Sequence, residues 1–254
     1  MVFSSMLFLW IFLPLVLAAY YISPGKIRNG ILVFFSLLFY AWGEPLYVFL
    51  MLFSVAVNFT GGILIEKYQT RKKKILVATL IINLGLLGYF KYFGTLTEAI
   101  TGLFSADGTG TTLFQVALPI GISFYTLSAI GYMADVYWGK VKAEYSLVKT
   151  ALFLGFFPVI VEGPICRWED VEDTLFKNES VKAENVFKGC YRIIWGLFKK
   201  MIIADRLAVL VDKVYVGYES YSGAVIVAAA ISYTIQLYME FSGCMDMVIG
   251  SAGL

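Results

Sequence analysis

VFSSMLFLWIFLPLVLAAYYI, residues 2–22, contains no charged side chain. Twenty or so largely apolar residues are what a helix needs to cross a hydrocarbon core of ~30 Å. The pattern returns at residues 31–43, 46–65, 75–90 and 224–239. A large soluble all-α protein is the rival reading, but soluble helices of this length carry a polar stripe, and these blocks do not. With 59% hydrophobic residues and a mean hydropathy of +0.78, the 254 residues read as one all-α membrane domain, a polytopic transmembrane helix bundle over residues 1–254. The first block lacks the basic start and small-residue cleavage site of a signal peptide, so it is expected to stay as the first span.

The net charge of +2 implies no class of partner, but its distribution implies a topology. Lys67, Arg71, Lys72, Lys73 and Lys74 crowd one connection, which the positive-inside rule places in the cytoplasm. Residues 95–112, with Glu98 and Asp107 but no Lys or Arg, then form a flexible outer loop around Gly108 and Gly110. Residues 113–137 are long enough to span, though Pro119 and Gly121 must kink or break them. Residues 151–165 would make only about 22 Å of helix and contain Pro158, Glu162, Gly163 and Pro164. A re-entrant segment buried within protein fits them better than a span. Arg167 and a soluble loop, residues 169–184, follow.

Lys188, Arg192, Lys199, Arg206 and Lys213 are spaced 4, 7, 7 and 7 residues apart. On an ideal α-helix they fall within an arc of ~60°, one basic stripe. An interfacial helix snorkelling toward anionic headgroups explains such a stripe; so does a mouth for an anionic donor or acidic carrier, formed by Arg192, Lys199, Lys200 and Arg206. The two are compatible. In the last apolar block, Gln236 and Glu240 share one helical face and Ser242 and Asp246 another, with Gly243 placed to loosen the helix. Carboxylates at membrane depth cost several kcal/mol unless paired or wet. These residues, with Glu162 and Arg167, are therefore candidates for a polar lining, against the plainer reading of helix–helix glue.

The sequence has no histidine, the side chain most used for proton transfer near neutral pH. Cys166, Cys190 and Cys244 show no metal-like spacing and read as small apolar fillers. No metal site is expected. Gly61-Gly62 reads as close helix packing.

A set of strings recurs in order along the whole chain: Met1-Val2-Phe3-Ser4-Ser5; Leu38-Phe39-Tyr40-Ala41-Trp42-Gly43-Glu44-Pro45; Leu118-Pro119-Ile120-Gly121-Ile122-Ser123-Phe124-Tyr125-Thr126 with Asp135-Val136-Tyr137; Phe156-Phe157-Pro158 with Glu162-Gly163-Pro164-Ile165-Cys166-Arg167; Gly196-Leu197-Phe198-Lys199-Lys200 with Ala204-Asp205; and Gln236-Leu237-Tyr238-Met239-Glu240-Phe241-Ser242-Gly243. Together they resemble the bacterial membrane-bound O-acyltransferase family, in the branch of the alginate O-acetyltransferases and the D-alanyl-transfer proteins of teichoic acid synthesis.

The resemblance implies transfer of an acyl group, acetyl in the first instance, from a cytoplasmic thioester (acetyl-CoA or an acyl carrier) to hydroxyls of an extracytoplasmic polysaccharide or cell-wall polymer. It implies a multi-pass protein of the bacterial plasma membrane, with an extracytoplasmic acetyltransferase as a possible partner. No nucleic acid is expected to bind. In the family's last motif Glu240 stands where an Asp is usual, and Cys244-Met245 replace Tyr-Ser. The family's catalytic histidine lies further on, so the chain is expected to be the N-terminal portion of a longer fold and inactive alone. Glu240 and Asp246 are the weak candidates for a substitute base. A transporter or channel and a non-catalytic scaffold are the competing classes.

Overall fold

The computed structural model describes residues 3–104, 118–161, 163–176 and 183–254. Its described residues are mostly helical, with no strand among them. Among the described residues three helices are long and apolar enough to cross a membrane: Tyr47–Lys67, Lys72–Phe93 and Gly223–Ala252. The all-α expectation holds and the chain is a membrane protein. Contacts divide it into two compact units, one of Met1–Pro24, Glu162–Pro164 and Glu179–Leu254, the other of Gly25–Val161 and Ile165–Asn178.

In the first unit the opening apolar block is shorter as a helix than its composition suggested, running Phe8–Ile22. It starts with a π-helical stretch, Phe8–Phe12, where the Leu13 N–H reaches the Phe8 carbonyl five residues back. Pro14, at the start of α1 (Leu13–Ile22), supplies the cause. It has no N–H to donate and its ring crowds the preceding turn, which a wider turn relieves. A second π-helical stretch, Phe198–Ala204, joins α9 (Ala183–Leu197) to α10 (Asp205–Val216). After a short 3-10 turn at Tyr218–Ser220, α11 (Gly223–Ala252) returns and packs along all three. The expected loosening at Gly243 does not occur, because α11 is unbroken there and Gly243 serves close packing instead.

The second unit packs α2 (Gly25–Gly43), α3 (Tyr47–Lys67), α4 (Lys72–Phe104) and α5 (Ile122–Trp138) with the short α6 (Leu147–Gly155), α7 (Phe157–Ile160) and α8 (Trp168–Leu175). The helix α4 continues through residues 95–104, part of the expected outer loop; Asp107, Gly108 and the rest of that loop lie outside the described residues. The break foreseen at Pro119 and Gly121 falls just before α5. Gly121 has φ +74° there, and a Cβ on it would stand 2.0 Å from the Ile160 carbonyl oxygen. Only glycine allows both that backbone and that approach.

Residues 151–165 are broken as their prolines foretold. The helix α6 stops at Gly155, Phe156 is extended in ψ, and α7 adds one turn before irregular chain. The Phe157 N–H freed by that break donates to the Ser36 hydroxyl at 3.1 Å, the internal satisfaction that non-helical backbone needs where water is scarce. The loop expected at 169–184 contains α8, whose Trp168 is 1% exposed against Tyr132, Phe153 and Phe176. Trp168 precedes the expected loop, and Glu169, Asp170, Glu172 and Thr174 within it are exposed.

Two polar features hold the second unit together. Asn58 of α3 and Asn83 of α4, both buried, exchange amide hydrogen bonds at 3.0 and 2.9 Å. Gly61 and Gly62 leave room for Thr79 and Met133 and for Tyr132, since a Cβ at either would lie 3.0 Å or less from those side chains. Beneath them, Ala143 N–H donates to Glu66 (2.7 Å) and Glu144 N–H to the Tyr132 hydroxyl (2.9 Å), tying the α5–α6 connection to α3.

Candidate functional site

The polar residues of α11 meet the basic residues of α9 and the π-helical stretch in one cluster. Asp246 is held by two cations, Arg192 Nε on Oδ1 at 3.0 Å and Lys199 Nζ on Oδ2 at 2.5 Å. Lys199 also donates to the Ser242 hydroxyl at 2.8 Å. Lys200, the next residue, bonds a different pair: Glu240 Oε1 and, at 3.0 Å, Asp205 Oδ1.

Local structure explains why these partners meet. Arg192 and Lys199 are seven residues apart, two turns of one face, while Ser242 and Asp246 are one turn apart on α11. The π-helical stretch supplies the rest. Its repeat is i→i+5, so Asp205, whose N–H bonds the Lys200 carbonyl, also lies beside the Lys200 side chain. Glycine brings the helices close. Gly196 and Gly189 of α9 face Gly243 and Gly250 of α11 in antiparallel order, each with its would-be Cβ within 3 Å of the opposite carbonyl oxygen.

Three cations, Arg192, Lys199 and Lys200, meet three carboxylates, Asp205, Glu240 and Asp246. The cluster is therefore close to neutral by formal charge. Burial would lower the Lys200 ammonium, but the bonds to Glu240 and Asp205 outweigh it and hold the group above its ordinary value. Both Asp246 oxygens are engaged. Glu240 uses one oxygen on Lys200 and keeps its side chain 44% exposed. One turn before it, Gln236 has a buried Oε1 with no hydrogen-bond partner among the described residues.

The residues expected as a donor mouth and those expected as a lining thus occupy one place, Arg192, Lys199 and Lys200 bonded to Glu240, Ser242 and Asp246. Arg206 stands exposed on α10 without an ion pair among the described residues, and Arg167 stands exposed before α8 in the other unit. Glu162 lies outside the described residues. The single stripe through Arg206 and Lys213 assumed an uninterrupted α-helix, whereas the wide turns of Phe198–Ala204 change the register between Lys199 and Arg206. Asp205 was not foreseen as a partner because five-residue spacing pairs side chains only in such a turn. Among the described residues no three His, Cys, Asp or Glu side chains gather as a metal site.

The ordered motifs find their counterparts in known proteins. Over 254 residues, 98% of the chain, it is 36% identical to the probable alginate O-acetylase AlgI of Pseudomonas aeruginosa, covering 48% of that protein. The probable alginate O-acetylase AlgI of Azotobacter vinelandii is also 36% identical, with 50% of its length covered. This chain is a homologue of the alginate O-acetylases. The peptidoglycan O-acetyltransferase of Helicobacter pylori is 30% identical over 287 residues, with 53% of it covered. The chain spans about half the length of the curated relatives it matches. No family model matches it. The cluster described above draws Lys199, Lys200 and Asp205 from the fifth of the strings on which the resemblance rests and Glu240 and Ser242 from the sixth, with Arg192 and Asp246 beyond them.

Proposed function

We propose that this chain is the membrane portion of an O-acyltransferase that moves an acyl group, acetyl in the first instance, from a cytoplasmic thioester to hydroxyls of a polysaccharide or cell-wall polymer outside a bacterial plasma membrane. The observation that carries it is the 36% identity to alginate O-acetylases along 98% of the chain. A transporter or channel is not favoured, because the relatives that match are O-acetylating proteins by name.

The chemistry constrains the roles. Attack of a hydroxyl on a thioester needs a base for the hydroxyl proton and donors for the developing oxyanion. The sequence has no histidine, and both oxygens of Asp246 are committed to Arg192 and Lys199. Asp246 is then a clamp between α9 and α11. Glu240 and Gln236, on the face beside it, line the path of the substrates. Arg206, exposed beyond the cluster, remains the cation placed to meet an anionic donor or carrier. A proton acceptor and any extracytoplasmic acetyltransferase partner come from outside these 254 residues.

Labelled acetyl transfer from a thioester to polysaccharide tests this reading. Membranes holding this chain alone should give none. Membranes that also hold the remaining length of a related alginate O-acetylase, as a second polypeptide, should give transfer. Transfer by the chain alone would overturn the assignment of the base, and none in either case would overturn the reading itself.

A further inference from the structure

Where α3 ends and α4 begins, Lys67, Arg71, Lys73 and Lys74 are exposed and make no ion pair among the described residues. The α5–α6 connection adds Lys142 and Lys140 to the same place. Lys72 Nζ donates to the Tyr137 carbonyl at 3.3 Å, and Glu66, beside Lys67, accepts the Ala143 N–H at 2.7 Å. The patch is thus tertiary, built from two connections that the fold ties together. Its acids are turned to other work. Glu66 caps the backbone, Asp135 is buried at 4.0 Å from Lys140, and Glu144 pairs with Lys149.

Lys72, Lys73 and Lys74 also open α4, whose first turn has no acidic residue. The N-terminus of a helix carries the positive end of its dipole, so cations there are unfavourable and anions favourable. A fold that concentrates unpaired cations on that end lacks its counter-charge. The patch lies at the ends of two span-length helices, where exposed aromatics, Tyr68, Trp138 and Tyr145, share the connections with the cations. Aromatics and cations together at the end of a span mark headgroup depth.

We propose that this patch binds the phosphodiester headgroup of an anionic phospholipid. Orientation by the positive-inside rule needs only the number of basic residues near a span. It does not need the tertiary ties, nor cations set on a helix N-terminus. Proximity to two spans favours a lipid over a soluble phosphate compound, which would require no membrane depth. The site does not depend on the acyl-transfer reading.

The chain reconstituted in nanodiscs of phosphatidylcholine with about one-fifth phosphatidylglycerol tests the proposal by native mass spectrometry of the retained lipid. Both faces of a nanodisc are open, so insertion direction cannot confound the result. The wild-type chain should retain phosphatidylglycerol over phosphatidylcholine, and added salt should weaken the preference. The triple variant Arg71→Gln, Lys73→Gln, Lys74→Gln should lose it by more than tenfold, at about fivefold per cation near a charged surface. Its thermal midpoint in pure phosphatidylcholine should match the wild type, which separates lost binding from lost folding. Lys91→Gln, an exposed cation at the opposite end of the same span, should keep the preference. Equal retention by the triple variant would overturn the proposal, as would full displacement of the lipid by millimolar inorganic phosphate, which would make this a free-phosphate site.

Discussion

A Cβ on Gly196 would stand 2.5 Å from the carbonyl oxygen of Gly243, and one on Gly243 would stand 2.8 Å from the carbonyl oxygen of Gly196. The contact is mutual and backbone to backbone, so no flexible side chain can yield. It repeats seven residues away at Gly189 and Gly250. Small residues let membrane helices approach closely enough for dispersion to hold them where no hydrophobic drive exists. Here the approach also sets the reach of Lys199, whose Cβ would stand 3.2 Å from a Cβ added at Gly243.

Replacing Gly196 or Gly243 by alanine should therefore force α9 from α11 and cost about 1–3 kcal/mol, the usual range for overpacking. Gly88→Ala, at a site in α4 with nothing within 4 Å, should instead be neutral or gain up to about 1 kcal/mol from helix propensity. Thermal unfolding in one detergent compares them. Equal midpoints for Gly243→Ala and Gly88→Ala would refute the close-packing account.

Asp246→Asn should destabilise the first unit by about 2–4 kcal/mol, because it leaves Arg192 and Lys199 facing each other without a counter-charge. Removing one of those cations as well should recover part of the loss. A double-mutant cycle with Lys199→Met measures the coupling. Strict additivity would mean that the ion pair is incidental to the packing of α9 on α11.

Cys166 lies in the irregular chain before α8, where burial first and Asp170 second push its thiol up. The thiolate is the reactive form, so a raised value means less of it at any given pH. In a chain with Cys190→Ser and Cys244→Ser, alkylation of Cys166 should be slow at pH 7 and keep accelerating past pH 9. An ordinary thiol, titrating near about 8.5, would already be levelling off there. A plateau at the ordinary place would contradict the burial seen at this position.

The apolar blocks were legible because membrane helices need length and lack of charge, which single residues report directly. Backbone breaks at Pro119, Gly121 and Pro158 were legible for the same reason, since proline and glycine act locally. Gly243 misled because a glycine in a helix has two readings, weak backbone or close approach, and only the Gly196 carbonyl decides between them. Trp168 had no signal of its own. Its charged neighbours Glu169, Asp170 and Glu172 are exposed, while the indole fills the core beside Tyr132. The partners of the polar residues of α11 were not legible, because Lys200 reaches Asp205 only through a π-helical turn that no simple periodicity announces.

Asn58 and Asn83 are 25 residues apart on neighbouring helices, and their mutual amide bonds had no signal in the sequence. Each is also held by its own helix, with Asn58 donating to the Ser54 carbonyl at 2.8 Å and Asn83 to the Thr79 carbonyl at 3.0 Å. Those local bonds fix the rotamers, so the pair locks the register of α3 against α4 at little further entropy cost. Asn83→Leu should cost about 1–2 kcal/mol, the upper range for an interhelical hydrogen bond in a membrane protein, since it strands a buried amide on Asn58. The double change to leucine should recover much of that, as both polar groups are then gone. Unfolding midpoints of the two single variants and the double variant decide it. A double variant less stable than either single one would show that packing volume at this crossing, rather than the amide pair, holds α3 to α4.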